Sequence, residues 1–309
     1  MSNAIVGLKA DFLSDWVFDL RKQLTECWGT DEVESIDDMD IPYAFFDTLP
    51  RKLKIRPRSA KLSAEFQCPP ALEIQWQALK NKIENGGDLN PHLSTRHTSI
   101  SNPDGMLAEW DVHHFHLGTQ PHPKNPSFVK RTGPLVFARI DDEAAYVIGI
   151  YDHNGNFENT GILEILHQNS PDTISRYRVF GVTGSPLEKA ERRVLRSKNG
   201  NVLIATRDGA VYMPISSGVV SSGKRISSMV QADGKIFEIR GLQTFASQVL
   251  ADILPTLATC GYAGEPEIEA RLLATEAGFA VFFPKFEIKL TPTSSGQVQL
   301  ETFRLPIEQ

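Results

Sequence analysis

The sequence predicts an α+β fold: antiparallel sheets with flanking helices, arranged in two to three domains. Three observations carry this. Apolar residues recur at helical spacing near the N-terminus and again after residue 70. The middle third alternates with a two-residue period and holds two β-rich runs joined by the tight connection "DDEA". A second hairpin pattern, "NVLIATRDGAVYMPI", brackets Asp208-Gly209. A length of 309 residues supports about two cores. The expected division is an N-terminal helical and charged region over 1–69, a central α+β domain with a histidine-rich strand over 70–198, and a C-terminal α+β domain over 199–309.

Taken in order, Leu8, Phe12, Trp16, Leu20 and Leu24 define an amphipathic helix over 8–28 that ends near Gly29. An acidic stretch, Thr30 to Asp40, and then a basic one, Arg51 to Lys61, form an irregular connector with Pro42, Pro50 and Pro57. Leu72, Trp76, Leu79 and Ile83 share one face of a second helix over 71–85, stopped by "ENGGD". Strands follow at 109–117, 134–141 and 144–151, then a short helix in "ENTGILEILHQN". "PISSGVVSSGK" reads as a mobile loop. "EIRGLQTFASQVLADILPTLATCGY" reads as a long apolar helix that Pro255 kinks or ends. "AVFFPKFEIKLTP" supplies terminal strands.

Composition narrows the function. Apolar content of 41% with 23% charged residues is that of an ordinary globular protein. No apolar run is long enough to span a bilayer, and the start lacks the order of a secretory leader. The three cysteines, Cys27, Cys68 and Cys260, are scattered without a CxxC pair, which points to a reducing cytoplasm and against a disulfide framework or zinc ribbon. A net charge of −6 excludes a wholesale nucleic-acid binder. Local charge differs: Arg51, Lys52, Lys54, Arg56 and Arg58 lie in a run without acidic residues. They read either as a phosphate-binding arm or as a solvated connector that complements the acidic stretch.

The most informative segment is "EWDVHHFHLGTQ". On a strand, Val112, His114 and His116 share one face, and His113, Phe115 and Leu117 the other. Two same-face histidines admit three readings. They can be polar residues satisfied by neighbouring strands. They can be part of a metal site, with His153, Asp152, Asp111 or His122 as further ligands and a divalent cation as cofactor. Or they can be acid–base catalysts that need no cofactor. For the last, Lys130 and Arg131 precede the next strand, Arg139 lies near its end, and His153 follows the partner strand. One histidine would take the 2′-hydroxyl proton of RNA, another would protonate the leaving oxygen, and an arginine or lysine would stabilise the phosphate charge.

A helix, the strand "DVHHFHLG", a basic turn and the hairpin "GPLVFARIDDEAAYVIGIYDH" together resemble the RelE/HigB-like toxin ribonucleases over residues 70–170. The resemblance implies RNA cleavage on a concave sheet face. Lys130, Arg131, Arg139 and His153 occupy the matching places. The expected function is a metal-independent endoribonuclease with a toxin-like or defence-like role. Its catalytic residues would be His114, His116, Arg139 and His153. Lys130, Arg131, Arg51, Lys52, Lys54, Arg56 and Arg58 would bind RNA. The alternatives are a non-catalytic binding protein, for nucleic acid or a protein partner, and a metal-dependent hydrolase using the His-x-His pair.

Overall fold

The structure is a computed structural model and describes residues 6–94, 99–100, 104–152, 161–183, 189–293 and 297–304. The expected α+β class holds, with four sheets among these residues. In chain order the elements begin with β1 (Gly7–Lys9), α1 (Phe12–Trp28), α2 (Thr30–Val33), α3 (Ile41–Thr48), β2 (Ser59–Leu62) and α4 (Glu73–Asn85). Next come α5 (Gly105–Trp110), β3 (Val112–His116), β4 (Pro134–Ile140), β5 (Ala144–Asp152), α6 (Gly161–Asn169) and α7 (Pro171–Ile174). Then follow β6 (Arg178–Val179), α8 (Lys189–Ser197), β7 (Ile204–Ala205), β8 (Val211–Tyr212) and α9 (Ile226–Thr259). The chain closes with β9 (Glu267–Glu269), β10 (Arg271–Thr275), β11 (Gly278–Phe283), β12 (Ile288–Pro292) and β13 (Val298–Thr302).

Two units are evident, one formed by 1–42 together with 231–309 and the other by 43–230. In the first, β1 pairs in parallel with β9, and β10 to β13 form an antiparallel meander. Asp11 caps α1 by accepting from the Ser14 N–H, and the helix buries Phe12, Trp16, Val17, Leu20 and Leu24. Trp16 meets Phe279 of β11 edge-on at 6.2 Å.

The second unit is built on a sheet with the order β2-β5-β4-β3. Only β2 runs parallel to its neighbour; β3, β4 and β5 are antiparallel. The hairpin closes where the Asp141 carboxylate accepts the N–H groups of Glu143 and Ala144. Both faces of this sheet are covered. Phe115, Leu117, Val136, Ala138 and Val147 pack against Trp76, Leu79 and Ile83 of α4. On the other side Val112, Leu135, Phe137 and Ile148 pack against Trp110, Ile162, Leu163, Leu166 and Tyr212.

Three local expectations are revised. The histidine strand starts at Val112, not at 109, because Asp104 accepts from Met106 and Leu107 N–H and opens the short helix α5. That helix stops at Asp111, which adopts φ 54°, an uncommon conformation for a non-glycine residue. The serine- and glycine-rich loop is tied down: Val219 and Arg225 form an antiparallel bridge, and the Asn201 side chain bonds both the N–H and C=O of Val219. Helix α9 runs through Pro255 to Thr259, so the proline does not end it. No described helix is long and apolar enough to cross a membrane.

Candidate nucleic-acid interface

All of β3 is buried, although it lies at the end of the pairing order. His113, His114 and His116 are 4, 6 and 3% exposed. Alternation falls as expected, and the register sets His114 opposite Phe137, His116 opposite Leu135 and Val112 opposite Arg139. His114, His116 and Arg139 therefore share one face, but that face is the floor of a core. The His114 ring lies 6.2 Å from the Phe137 ring.

His116 is engaged on both its backbone and its ring. Its Nδ1 accepts the Thr132 N–H at 3.2 Å, so that lone pair is not available to take a proton from a substrate. Its carbonyl accepts from His92 Nδ1 at 2.7 Å. His92 is buried, and its Nε2 lies 3.0 Å from Lys82 Nζ. Burial and the Lys82 ammonium hold the His92 ring below the usual histidine range, against the pull of the His116 carbonyl. The ring is therefore neutral, with its proton on Nδ1 and Nε2 accepting from Lys82.

Arg139 is buried and pairs through Nη2 with Asp111 at 3.1 Å. Burial raises the Asp111 carboxyl, outweighing the favourable charges of Arg139 and Arg225. Nearby, Asp47 accepts from Arg51 at 2.7 Å and from the backbone and side chain of Arg225. Both arginines also donate to carbonyls, Arg51 to Ser99 and Ile100 and Arg225 to Phe46 and Asp47. His153 lies outside the described residues.

The basic run 51–58 divides into inward and outward members. Arg51 is committed to Asp47, and buried Arg58 donates to the carbonyls of Asp141, Lys54 and Arg56. Arg56 pairs with Asp142 at 2.9 Å on the surface. Lys52 and Lys54 are exposed, and so are Lys130 and Arg131.

The backbone segments that carry these four residues meet at one turn, Asn90–His92. The Asn90 side chain bonds both the N–H and C=O of Leu53, which lies between Lys52 and Lys54. The Pro91 carbonyl accepts from Val129 N–H, next to Lys130 and Arg131. The arm carrying Lys130 and Arg131 is pinned in turn, because Lys130 N–H donates to Gln120 C=O at 2.7 Å and Leu117 N–H donates to Thr132 Oγ1. Asp88 is the acidic neighbour, accepting from Asn90.

Gly118 permits this closure: a Cβ there would sit 2.0 Å from the Lys130 carbonyl oxygen. Gly118→Ala is accordingly expected to lower stability by about 1–3 kcal/mol by forcing the two arms apart. Thermal unfolding of the variant checks this. An unchanged midpoint would mean that the arms separate freely.

The two units differ in the sign of their charge. Residues 43–230 carry 23 Lys and Arg against 18 Asp and Glu, a net of +5. Residues 1–42 and 231–309 carry 9 against 20, a net of −11. The overall −6 averages two opposite charges and hides the basic one.

Sequence reasoning missed one further constellation. His167 of α6 lies 2.8 Å from the Tyr212 hydroxyl through Nδ1 and 2.9 Å from Asp208 through Nε2. The Thr206 hydroxyl, His167 and the Ala210 N–H hold the Asp208 carboxyl well below the usual range. The three are separated by 41 and 4 positions, so no local motif joins them. Tyr212 is buried, and the chain of bonds fastens α6 to the Asp208-Gly209 hairpin. Among the described residues, no group of three His, Cys, Asp or Glu side chains is placed to hold a metal ion.

No protein-family model, curated protein or solved structure matches this chain. The functional reading therefore rests on the geometry above.

Proposed function

We propose that the chain binds nucleic acid through the exposed rim of Lys52, Lys54, Lys130 and Arg131. The observation that carries this is that the backbone on either side of them is fastened to the Asn90–His92 turn from segments more than 70 positions apart, in a unit of net positive charge. Ammonium and guanidinium groups held on pinned backbone suit a phosphate backbone. Each phosphate neutralised releases counterions.

Cleavage is the further step implied by the resemblance to toxin ribonucleases. In this conformation His114 and His116 are covered on their face, and the His116 Nδ1 is taken by Thr132. The geometry thus favours binding over cleavage, and the same assay separates the two.

With about four phosphates neutralised, affinity for a single strand should fall about 50-fold between 50 and 200 mM salt. Replacing Lys52, Lys54, Lys130 and Arg131 with Gln should weaken binding and flatten the salt slope, with the melting temperature retained because all four are exposed. Equal affinity of wild type and variant at low salt would overturn the proposal. Incubation with total RNA, with and without chelator, reads cleavage directly. Intact RNA supports the binding reading. Chelator-resistant products ending in 2′,3′-cyclic phosphate, lost in His114→Ala and His116→Ala, would replace it with the endoribonuclease.

A further inference from the structure

A cleft of about 150 Å³ opens in the second unit, between α5, the turn after α8 and the loop before α9. Hydrogen bonds tie these three segments to one another. The Asn201 side chain, from the turn, exchanges two 2.7 Å bonds with the backbone of Val219 in the loop. Asn199 Nδ2 donates between the same two segments, to Ser221 C=O at 2.8 Å. The loop is fastened to α5 as well, because Ile215 N–H donates to Glu109 C=O at 3.0 Å. Protein interiors close over voids where they can, and a cleft braced in this way keeps its shape.

The polar groups of the walls are largely spent on one another. Gly200 N–H donates to Leu195 C=O, and Gly223 N–H to Val220 C=O. Gly218 C=O accepts from Ile226 N–H, and Pro214 C=O from Ser217 N–H. Pro214 itself has no N–H to offer. A molecule entering the cleft therefore finds few free hydrogen-bonding partners. What it meets instead is the hydrocarbon of Ala108, Val202, Pro214 and Val219.

Charge narrows the ligand further. Among the described residues that line the cleft, Glu109 alone is charged. No lysine or arginine of the lining can pair with an anion, and taking an unpaired anion out of water is costly. Volume sets the size, since a cavity of about 150 Å³ accommodates benzene.

We propose that the cleft is a binding site for an uncharged, apolar small molecule about the size of one six-membered ring. Its walls are fixed beforehand, so little order has to be created on binding. The site shares no residue with the cationic rim and does not depend on the nucleic-acid reading.

The test uses the full chain and three probes of similar size: benzyl alcohol, cyclohexylmethanol and benzoate. The methyl resonances of Ala108, Val202 and Val219 are followed by NMR during each titration. Saturable movement of these methyls with at least one of the two alcohols, at millimolar concentration, is the expected result. Benzoate should bind at least about 10-fold more weakly than that alcohol, because its charge has no partner in the lining. Gly105→Leu should weaken the alcohol at least about 10-fold, since single methylenes in apolar pockets have effects of this order. Gly105 lines the cleft, and a Cβ there meets nothing within 4 Å, so the larger side chain has room without moving the backbone. Its melting temperature is measured alongside. A folded Gly105→Leu that binds as tightly as wild type overturns the proposal. If that variant does not fold, the wild-type titrations decide by themselves. No saturable shift with either alcohol, or benzoate binding as tightly as both, overturns it.

Discussion

Asp47→Ala is expected to destabilise the fold by about 3–5 kcal/mol, because it strands two buried guanidiniums. Arg51 and Arg225 both depend on this carboxylate, and both are buried. The bonds they make to carbonyls would remain, but the charge would be uncompensated. Urea unfolding measures the loss, and a change below about 1 kcal/mol would show that the arginines find other partners. A pH dependence accompanies it. Burial alone would raise the Asp47 carboxyl, but Arg225 and Arg51 outweigh it and hold the carboxyl below the usual range. The folded state thus binds its proton less readily than the unfolded chain. The stabilisation is fully present above the ordinary aspartate pKa of about 3.9 and is lost as pH falls through the lower folded value. The wild type should show this acid-side decline, and Asp47→Ala should lack that part of it.

Phe137→Ala should cost a similar amount, about 3–5 kcal/mol. Phe137 is fully buried at the centre of the sheet, with the Tyr151 ring 5.6 Å away edge-on and His114 across the strand pair. Removing it leaves a cavity between two layers that α6 and the sheet cannot easily close. Phe137→Leu should recover more than half of the loss. Equal losses for Leu and Ala would indicate that ring stacking, not volume, holds this region together.

The elements readable from the sequence were those whose pattern is local. The four-residue spacing through Phe12, Trp16, Leu20 and Leu24 marks α1 because helix geometry aligns those positions on one face. The β4–β5 hairpin was legible because alternation and a short polar connection coincide. Helix α5 was not, since six residues are too few to show a period, and Trp110 and Val112 read equally well as strand. The pairing of Ser59–Leu62 with Ala144–Val147 is parallel and distant, and "SAKL" carries no pattern that announces it.

The site divides along the same line. That His114 and His116 share a face follows from the pleat alone. That the face is covered depends on α5, α6 and the Tyr212 hairpin, which converge from far along the chain. In the basic run, Arg51 and Lys52 look alike as letters. Arg51 turns inward because Asp47 lies one helical turn earlier and Arg225 arrives from 178 positions beyond Asp47. Lys52 turns outward. The opposite charges of the two units were equally hidden, because the acidic unit is assembled from both sides of the basic one in the chain.

That last arrangement has a consequence on the ribosome. Gly7 of β1 must wait for Glu267 of β9, 260 positions later, before its ladder can form. At synthesis rates of about 5–20 residues per second, the delay is about 13–50 s. Residues 43–230 emerge as an unbroken run and can fold in the meantime. Helix α1 cannot pack Trp16 against Phe279 until that residue has been made. During that interval the nascent chain displays an apolar helical stripe, the kind of surface on which chaperones act.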